Sequence, residues 1–198
     1  MAAQAPAPAP PNAPMAPISR GNRPTIVGPD QPEDPYPIKL EGTVTKGFGR
    51  GARFLGIPTA NLPDTSLDEL NELNMTGIYY GFARIHPSNS TPLPSTYPTP
   101  IHSDEKIWPM VMSVGWNPYF KNEKITAEVH IMHPFKADFY GHHMSVIILG
   151  YIRPELDYVS KEALIEDIQT DVKVALNGLA RPEYAKYAED PFLTKDRV

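Results

Sequence analysis

A glycine-rich stretch from Gly42 to Asn61 holds residues whose types and spacing suit phosphate chemistry. It reads GTVTKGFGRGARFLGIPTAN, with glycines at 42, 47, 49, 51 and 56. Glycines leave backbone N–H groups unobstructed, so such a loop can wrap phosphate oxygens. Lys46, Arg50 and Arg53 add positive charge. The pattern fits neither a Walker A loop nor the dinucleotide fingerprint, and a plain turn-rich hairpin is the alternative interpretation.

Thr59 and Asn61 end this stretch with a spacing that suits a metal ion. On an extended segment, residues two apart point to one face. Two neutral oxygens suit Mg²⁺, which takes few protein ligands and completes its shell with water and substrate phosphates. We therefore predict that Thr59 and Asn61 bind Mg²⁺, or Zn²⁺ or Mn²⁺ in its place, together with a nucleotide. The alternative is that both side chains only stabilise a turn.

Glu128 is a candidate base on a predicted strand. Alternation over Thr126–Met132 puts Ala127, Val129 and Ile131 on one face and Glu128, His130 and Met132 on the other. Glu128 therefore projects away from the core. A rigid strand is a good platform for a base that must hold a hydroxyl in line with a phosphorus atom. A solvated strand residue is the alternative interpretation.

Composition and charge exclude several classes of function. The chain has no cysteine, which excludes thiolate metal sites and is typical of a reducing compartment, so we expect a cytoplasmic location, with organelle association left open. His142-His143 and the His130/His133 spacing do not complete a four-ligand zinc site. The net charge of −5 argues against a nucleic-acid binder, and the longest apolar run is too short to span a membrane. We expect a monomer that binds a small anionic ligand.

The elements that position these residues are mostly predicted strands. From Ile38 onwards, short β-prone runs separated by turn signals predict a small all-β barrel or sandwich. The predicted strands are Lys39–Thr45, Gly77–Ile85, Trp108–Gly115, Thr126–Met132 and Met144–Ile152, with weaker extended structure at Phe54–Ile57. Residues 87–106 are rich in Pro, Ser and Thr and predict a long surface loop.

One helix is predicted, beginning after the N-cap Ser160. Its apolar residues fall on one stripe that ends at Asn177-Gly178, while Glu162, Glu166 and Asp167 favour its N-terminal half. The stripe comprises Leu164, Ile165, Ile168, Val172, Ala175, Leu176 and Leu179. A single amphipathic helix after a run of strands must pack on the sheet or across a barrel mouth.

The first 37 residues differ in composition from the remainder, which we predict to be one domain, 38–198. They contain 11 of the 24 prolines and no charge before Arg20. Such a segment cannot bury enough apolar surface to offset its ordering entropy, so residues 1–37 are predicted to be disordered or polyproline-like. It lacks the pattern of a signal or transit peptide. A ligand for a proline-recognising module is the alternative role.

Several blocks of the sequence, taken in order, resemble the riboflavin kinases. The resemblance covers about residues 38–196. The blocks are Gly47-Phe48-Gly49-Arg50-Gly51, LGIPTAN at Leu55–Asn61, TGIYYG at Thr76–Gly81, GWNPY at Gly115–Tyr119, EVHI at Glu128–Ile131 and GYIRP at Gly150–Pro154.

The resemblance implies a fold and an activity. The fold would be a six-stranded antiparallel Greek-key β-barrel with the C-terminal helix beside a flavin pocket. The activity would be transfer of the γ-phosphoryl group of ATP to the 5′-hydroxyl of riboflavin, giving FMN and ADP, with Mg²⁺. Since no second domain is evident, a further adenylylation of FMN is not expected. The alternative is a non-enzymatic barrel that binds a flavin or a protein partner, with the proline-rich tail as recruiting element.

The resemblance also assigns roles to individual residues. It implies that Glu128 is the base that accepts the proton of the ribityl hydroxyl. It implies nucleotide contacts at Gly47, Arg53, Thr59, Asn61, Ile131, His133 and Tyr140. It implies flavin contacts at Arg153, Leu156 and Tyr158.

Overall fold

The computed structural model describes residues 22–45, 57, 59–86, 107–116, 125–135, 138–158 and 160–195. The strands are β1 (Ile38–Thr43), β2 (Ala60–Asn61), β3 (Gly77–Ile85), β4 (Ile107–Trp116), β5 (Ile125–Ile131) and β6 (His143–Arg153). The helices are α1 (Asp68–Glu72), α2 (Lys161–Leu179), α3 (Pro182–Ala185) and α4 (Pro191–Thr194), with 3₁₀ turns at Asp64–Ser66 and Lys186–Glu189.

The six strands form one antiparallel sheet in the order β1-β6-β3-β4-β5-β2. Strands β3, β4 and β5 are a meander, and β6 returns to lie beside β3, which is Greek-key connectivity. An isolated bridge between Thr45 and Asn61 joins the two edges, with the Thr45 N–H donating to the Asn61 carbonyl at 2.9 Å. The predicted six-stranded barrel is therefore confirmed.

The predicted strands agree with the observed ones to within two residues at each end. Gly77–Ile85 has the predicted bounds, because a β-prone run between turn signals marks both ends. Within the predicted Phe54–Ile57 segment only Ile57 is described, and it carries no strand. The short strand β2 lies further along, at Ala60–Asn61, and two residues are too few to show alternation. The predicted loop at 87–106 lies outside the described residues.

The sheet buries apolar side chains on both faces. The barrel interior is filled from every strand, for example by Leu40, Tyr79, Met112, Val129 and Ile148. The outer face carries a second cluster from β3, β4 and β6, which packs against the C-terminal helices. Strand β3 is consequently buried at every position. The predicted packing of the C-terminal helix on the sheet is thus observed, on the outside of the barrel.

Tyr80 fills the space between this outer face and helix α2. Its side chain is fully buried and stacks on Tyr184 with ring centroids 5.9 Å apart. Two glycines make room for the ring: a Cβ on Gly150 would lie 2.5 Å from it, and a Cβ on Gly178 would lie 3.0 Å from it. Glycine at these two positions therefore permits the close approach of α2 to the sheet.

Helix α2 begins as predicted, but its buried face coincides only in part with the predicted apolar stripe. The Ser160 hydroxyl accepts a hydrogen bond from the Ala163 N–H at 3.1 Å, which confirms the N-cap. Ala175 and Leu179 are buried as predicted, whereas Leu176 is 44 % exposed. Asp167 and Asp171 are buried instead, because both are ion-paired. The apolar pattern could not show that paired carboxylates occupy the inner face.

The prediction that an unpacked tail extends to residue 37 is wrong for residues 22–37. This segment lies against α2 and α3. The Asn177 amide donates to the Thr25 carbonyl at 2.9 Å, and the Tyr184 hydroxyl donates to the Pro29 carbonyl at 3.0 Å. Proline lacks an N–H but keeps its carbonyl, so a proline-rich segment can dock as an acceptor. Residues 1–21 lie outside the described part of the chain.

Candidate active site

One row of cross-strand partners crosses the outer face of the barrel and contains three of the predicted site residues. Asn61 pairs with Glu128, Glu128 with Ser113, Ser113 with Ile78, and Ile78 with Arg153. Directly opposed residues in a sheet project from the same face. Glu128 and Arg153 are three strand spacings apart, roughly 14 Å along the sheet.

Thr59 contacts the Glu128 carboxylate, and Asn61 is the cross-strand partner of Glu128. The Thr59 hydroxyl donates a hydrogen bond to Glu128 Oε2 at 3.3 Å, and all three side chains are half-buried. The pair predicted for metal binding and the predicted base are therefore brought together. Thr59 and Asn61 themselves carry no carboxylate, and Glu128 supplies one beside them.

This set of oxygen donors fits a hard cation. Threonine, asparagine and glutamate oxygens suit Mg²⁺, which leaves several positions to water and phosphate. Within the described residues, no group of three or more His, Cys, Asp or Glu side chains could hold a metal ion. The described chemistry therefore fits a cation that arrives with a nucleotide better than a closed structural site.

Glu155 is a second carboxylate near Glu128 that the sequence analysis missed. Its Oε1 lies close to Gly115, where an added Cβ would come within 2.1 Å. Its Oε2 is buried and has no hydrogen-bond partner among the residues that the structure describes. The side chain lies beside Ser113, which is the cross-strand partner of Glu128. Glu155 follows the last strand outside any periodic segment, so no sequence pattern indicates its role. The need for glycine at position 115 is visible only in the three-dimensional structure.

The surroundings of Glu155 favour its neutral form. Burial raises the pKa of Glu155 to about 7. The charge of Arg153 opposes this rise in pKa, the carboxylate of Glu128 adds to it, and a hydrogen bond with Ser113 opposes it. Two carboxyl groups in one low-dielectric site disfavour simultaneous ionisation. Near neutral pH, Glu155 can therefore hold a proton beside the candidate base.

The predicted flavin residues Arg153 and Tyr158 are both held by helix α2. Arg153 Nε donates to both carboxylate oxygens of Asp171, at 3.0 and 3.1 Å, and Nη2 donates to Oδ2 at 2.7 Å. Burial alone would lower the pKa of Arg153, but the hydrogen bonds and charge of Asp171 raise it. The Tyr158 hydroxyl donates to Asp167 Oδ2 at 3.1 Å. Leu156, the third predicted flavin residue, lies between Arg153 and Tyr158 in the chain and is 9 % exposed.

Ile131 and His133 lie where β5 leaves the sheet. The Ile131 side chain is buried in the barrel interior, so a nucleotide would meet its backbone rather than its side chain. The His133 N–H donates to the Ile131 carbonyl at 2.8 Å. The His133 ring stacks on Trp108 with centroids 4.0 Å apart and meets the edge of Phe135 at 4.7 Å. His133 is thus part of an ordered aromatic stack.

Tyr140 lies in a turn that is fixed against the start of the glycine-rich stretch. The Gly141 N–H donates to the Val44 carbonyl at 3.0 Å, and the Val44 N–H donates to the His142 carbonyl at 2.8 Å. Gly141 adopts a φ of 82°, which favours glycine. Val44 directly precedes Thr45, whose bridge to Asn61 closes the barrel. Gly47 and Arg53, the other predicted nucleotide residues, lie outside the described residues.

Comparison with known proteins decides the family. The family model described as riboflavin kinase, or flavokinase, matches residues 34–179. The chain belongs to the riboflavin kinase family. A riboflavin kinase from Scheffersomyces stipitis is 48 % identical over 178 residues, covering 84 % of this chain and 98 % of that protein. One from Meyerozyma guilliermondii is 46 % identical over 177 residues, covering 84 % and 97 %.

A solved structure supports the fold of the family. The crystal structure of riboflavin kinase from Trypanosoma brucei matches with a TM-score of 0.58 at 23 % identity, covering 81 % of this chain and 90 % of that one. The alternative of a non-enzymatic barrel finds no support among these relatives, which are kinases by name. None of the helices that the structure describes is long and apolar enough to cross a membrane.

Proposed function

We propose that this riboflavin kinase transfers the γ-phosphoryl group of ATP to the 5′-hydroxyl of riboflavin on the outer-face row from Asn61 to Arg153. The observation that carries the proposal is the row itself. It aligns the predicted metal residue Asn61, the predicted base Glu128 and the predicted flavin residue Arg153 on one face. Ile78, in the middle of the row, is buried, so riboflavin would lie beside the row, with its ribityl chain toward Glu128 and its ring system toward the end near Arg153.

In this proposal, Glu128 takes the proton of the attacking hydroxyl. The hydroxyl oxygen bonds to the γ-phosphorus, the bond from that phosphorus to the bridging oxygen of ADP breaks, and the proton passes to the carboxylate. Phosphoryl transfer depends mainly on positioning and charge stabilisation. The rigid strand and the hydrogen bond from Thr59 fix the orientation of the Glu128 carboxylate, which supports this role.

The metal and the nucleotide lie on the β2 side of Glu128 in this proposal. Thr59 and Asn61 would hold a divalent ion, for which Mg²⁺ is the best fit to the neutral oxygens. When bound, the ion neutralises charge on the phosphates of ATP. The glycine-rich stretch with Gly47 and Arg53 would wrap those phosphates, and Ile131, His133 and Tyr140 would contact the nucleotide.

The absence of cysteine supports action in a reducing compartment such as the cytoplasm.

The flavin lies on the β6 side. Leu156 supplies an apolar surface, while Arg153 and Tyr158 supply hydrogen-bonding groups whose positions are set by Asp171 and Asp167. Pre-oriented polar groups lower the entropic cost of binding a ligand. The arrangement is therefore suited to a planar ring system with polar edges.

The test is product formation by the full chain. Riboflavin, Mg²⁺ and ATP labelled at the γ-phosphate are incubated with the protein and separated by chromatography. We expect the label to appear in FMN and unlabelled ADP to form in equal amount. If folded protein binds riboflavin but the label stays in ATP, the proposed activity is wrong and the binding barrel becomes the better interpretation.

A further inference from the structure

Arg23, in the N-terminal segment, touches both aspartates that hold the proposed flavin residues. Its position is outside residues 34–179, which the family model covers. We propose that Arg23 is a positioning residue for riboflavin binding, acting through Asp167 on Tyr158 and through Asp171 on Arg153. This inference rests on the proposed function, since it takes Arg153 and Tyr158 to face the flavin.

The contacts form a bridge with one aspartate on each side. Arg23 Nη1 donates to the Asp167 carbonyl oxygen at 3.3 Å and to its Oδ1 at 3.2 Å, and Nη2 donates to Asp171 Oδ1. The same carboxylates also accept from the proposed flavin residues: Asp167 Oδ2 from Tyr158, and both oxygens of Asp171 from Arg153. Each aspartate therefore connects Arg23 to one proposed flavin residue.

Burial makes this bridge consequential. Asp167 is 5 % exposed, Asp171 is 1 % exposed, and Arg153 is 8 % exposed. The two arginines and the two aspartates balance in charge. Without Arg23, two buried carboxylates four residues apart on one helix would share a single guanidinium, and like charges at this spacing repel. An uncompensated buried charge is strongly unfavourable, so Arg153 and Tyr158 would be drawn into new positions.

The N-terminal segment has other anchors that allow Arg23 to be separated from simple docking. The Asn177 amide donates to the Thr25 carbonyl at 2.9 Å, and Arg181 Nη2 donates to the Val27 carbonyl at 3.0 Å. These bonds hold backbone atoms of the segment rather than the two aspartates. Asn177→Ala therefore loosens the same segment while leaving the Arg23 bridge intact, which makes it a matched control.

The experiment compares Arg23→Gln with Asn177→Ala in the full chain. The dissociation constant for riboflavin is measured from the quenching of its own fluorescence, and KM is measured for riboflavin and for ATP. We expect Arg23→Gln to raise the riboflavin dissociation constant at least ~10-fold, while KM for ATP changes by less than about twofold. Asn177→Ala should leave both quantities near the wild-type values.

Two further variants separate positioning from a structural role. Arg23→Lys keeps the charge but lacks the fork that spans two carboxylates, so we expect intermediate riboflavin affinity with a melting temperature close to wild type. In a Tyr158→Phe background, part of the effect of Arg23→Gln should vanish, because one of its two routes is already cut.

The outcomes distinguish the two proposals. If wild-type protein makes FMN but Arg23→Gln and Arg23→Lys both bind riboflavin as tightly as wild type, the role of Arg23 is disproved. It is also disproved if Arg23→Gln weakens riboflavin and ATP equally and adds fully to Tyr158→Phe, because that result marks a general loss of structure. If the wild-type chain makes no FMN, it is the proposed function that fails.

Discussion

The hydroxyl of Thr59 donates a hydrogen bond to Glu128 Oε2 at 3.3 Å, linking residues that are 69 positions apart in the chain. Thr59 belongs to the predicted metal pair, and Glu128 is the predicted base. Because the two share a hydrogen bond, a change in one should alter the orientation of the other. Substitutions at either position must therefore be interpreted with both metal affinity and turnover measured.

Replacing Glu128 by glutamine should abolish most of the catalytic rate. The change preserves side-chain volume but removes the proton acceptor, and a general base contributes roughly 10²- to 10⁴-fold. We expect kcat to fall at least ~100-fold, with affinity for riboflavin and nucleotide retained. Steady-state kinetics and thermal melting measure the two effects. His130→Gln is the control, since it lies two residues along the same face of β5. Near-normal turnover in Glu128→Gln would remove the residue from the mechanism.

Binding of Mg²⁺ should depend on a nucleotide. Thr59 and Asn61 contribute neutral oxygens, and Glu128 is the carboxylate found beside them, so the described residues offer too little negative charge to dehydrate the ion. We expect calorimetry to detect little Mg²⁺ binding to the ligand-free protein and clear binding once ADP is present. Thr59→Val should weaken the binding of Mg²⁺ in the presence of ADP, and Thr59→Ser should preserve it. Tight Mg²⁺ binding without a nucleotide would contradict this description of the site.

The proton held by Glu155 should make stability depend on pH. Its folded-state pKa is raised to about 7 from an ordinary value of 4.5. Between these values the folded protein binds more protons than the unfolded chain, so the contribution of Glu155 is fully present below about pH 4.5 and is lost as pH rises through 7. Arg153, Glu128 and Tyr79 are the charged or titratable groups coupled to it.

Glu155→Gln tests this dependence, because the amide cannot ionise. Relative to wild type, the variant should gain stability between pH 5 and pH 8.5, on the order of 1–3 kcal/mol. Melting temperatures of both proteins across this range give the comparison, and the difference between them cancels groups that titrate in both. A constant difference across the range would show that Glu155 does not titrate near neutrality.

Local patterns predicted the faces of the strands but not their alignment. Alternation predicted that Glu128 lies on one face of its strand and that Ala127 and Val129 lie on the other face. The structure agrees, because the face with Ala127 and Val129 lines the barrel interior. The row that joins Asn61, Glu128 and Arg153 depends on pairings between distant strands, which periodicity does not encode. The charge of Asp167 was predicted to favour the N-terminal half of the helix, but the residue is buried. One of its partners, Arg23, lies more than a hundred residues away in the chain. The paired charges and the register between distant strands could therefore not be predicted from the sequence.

Removing residues 1–36 should destabilise the domain, whereas removing residues 1–21 should not. The longer deletion takes away Arg23, the carbonyls that bind Asn177 and Arg181, and Tyr36, which packs partly buried against the interior cluster. It leaves Asp167 and Asp171 buried with less compensation. A loss of ~1 kcal/mol lowers the melting temperature of a domain this size by about 2–4 °C, and several such interactions are lost together.

Calorimetric melting should therefore show a drop of at least several degrees for the chain that begins at Pro37 and none for the chain that begins at Asn22. Equal melting temperatures for these two chains would mean that the docked segment contributes nothing to the fold.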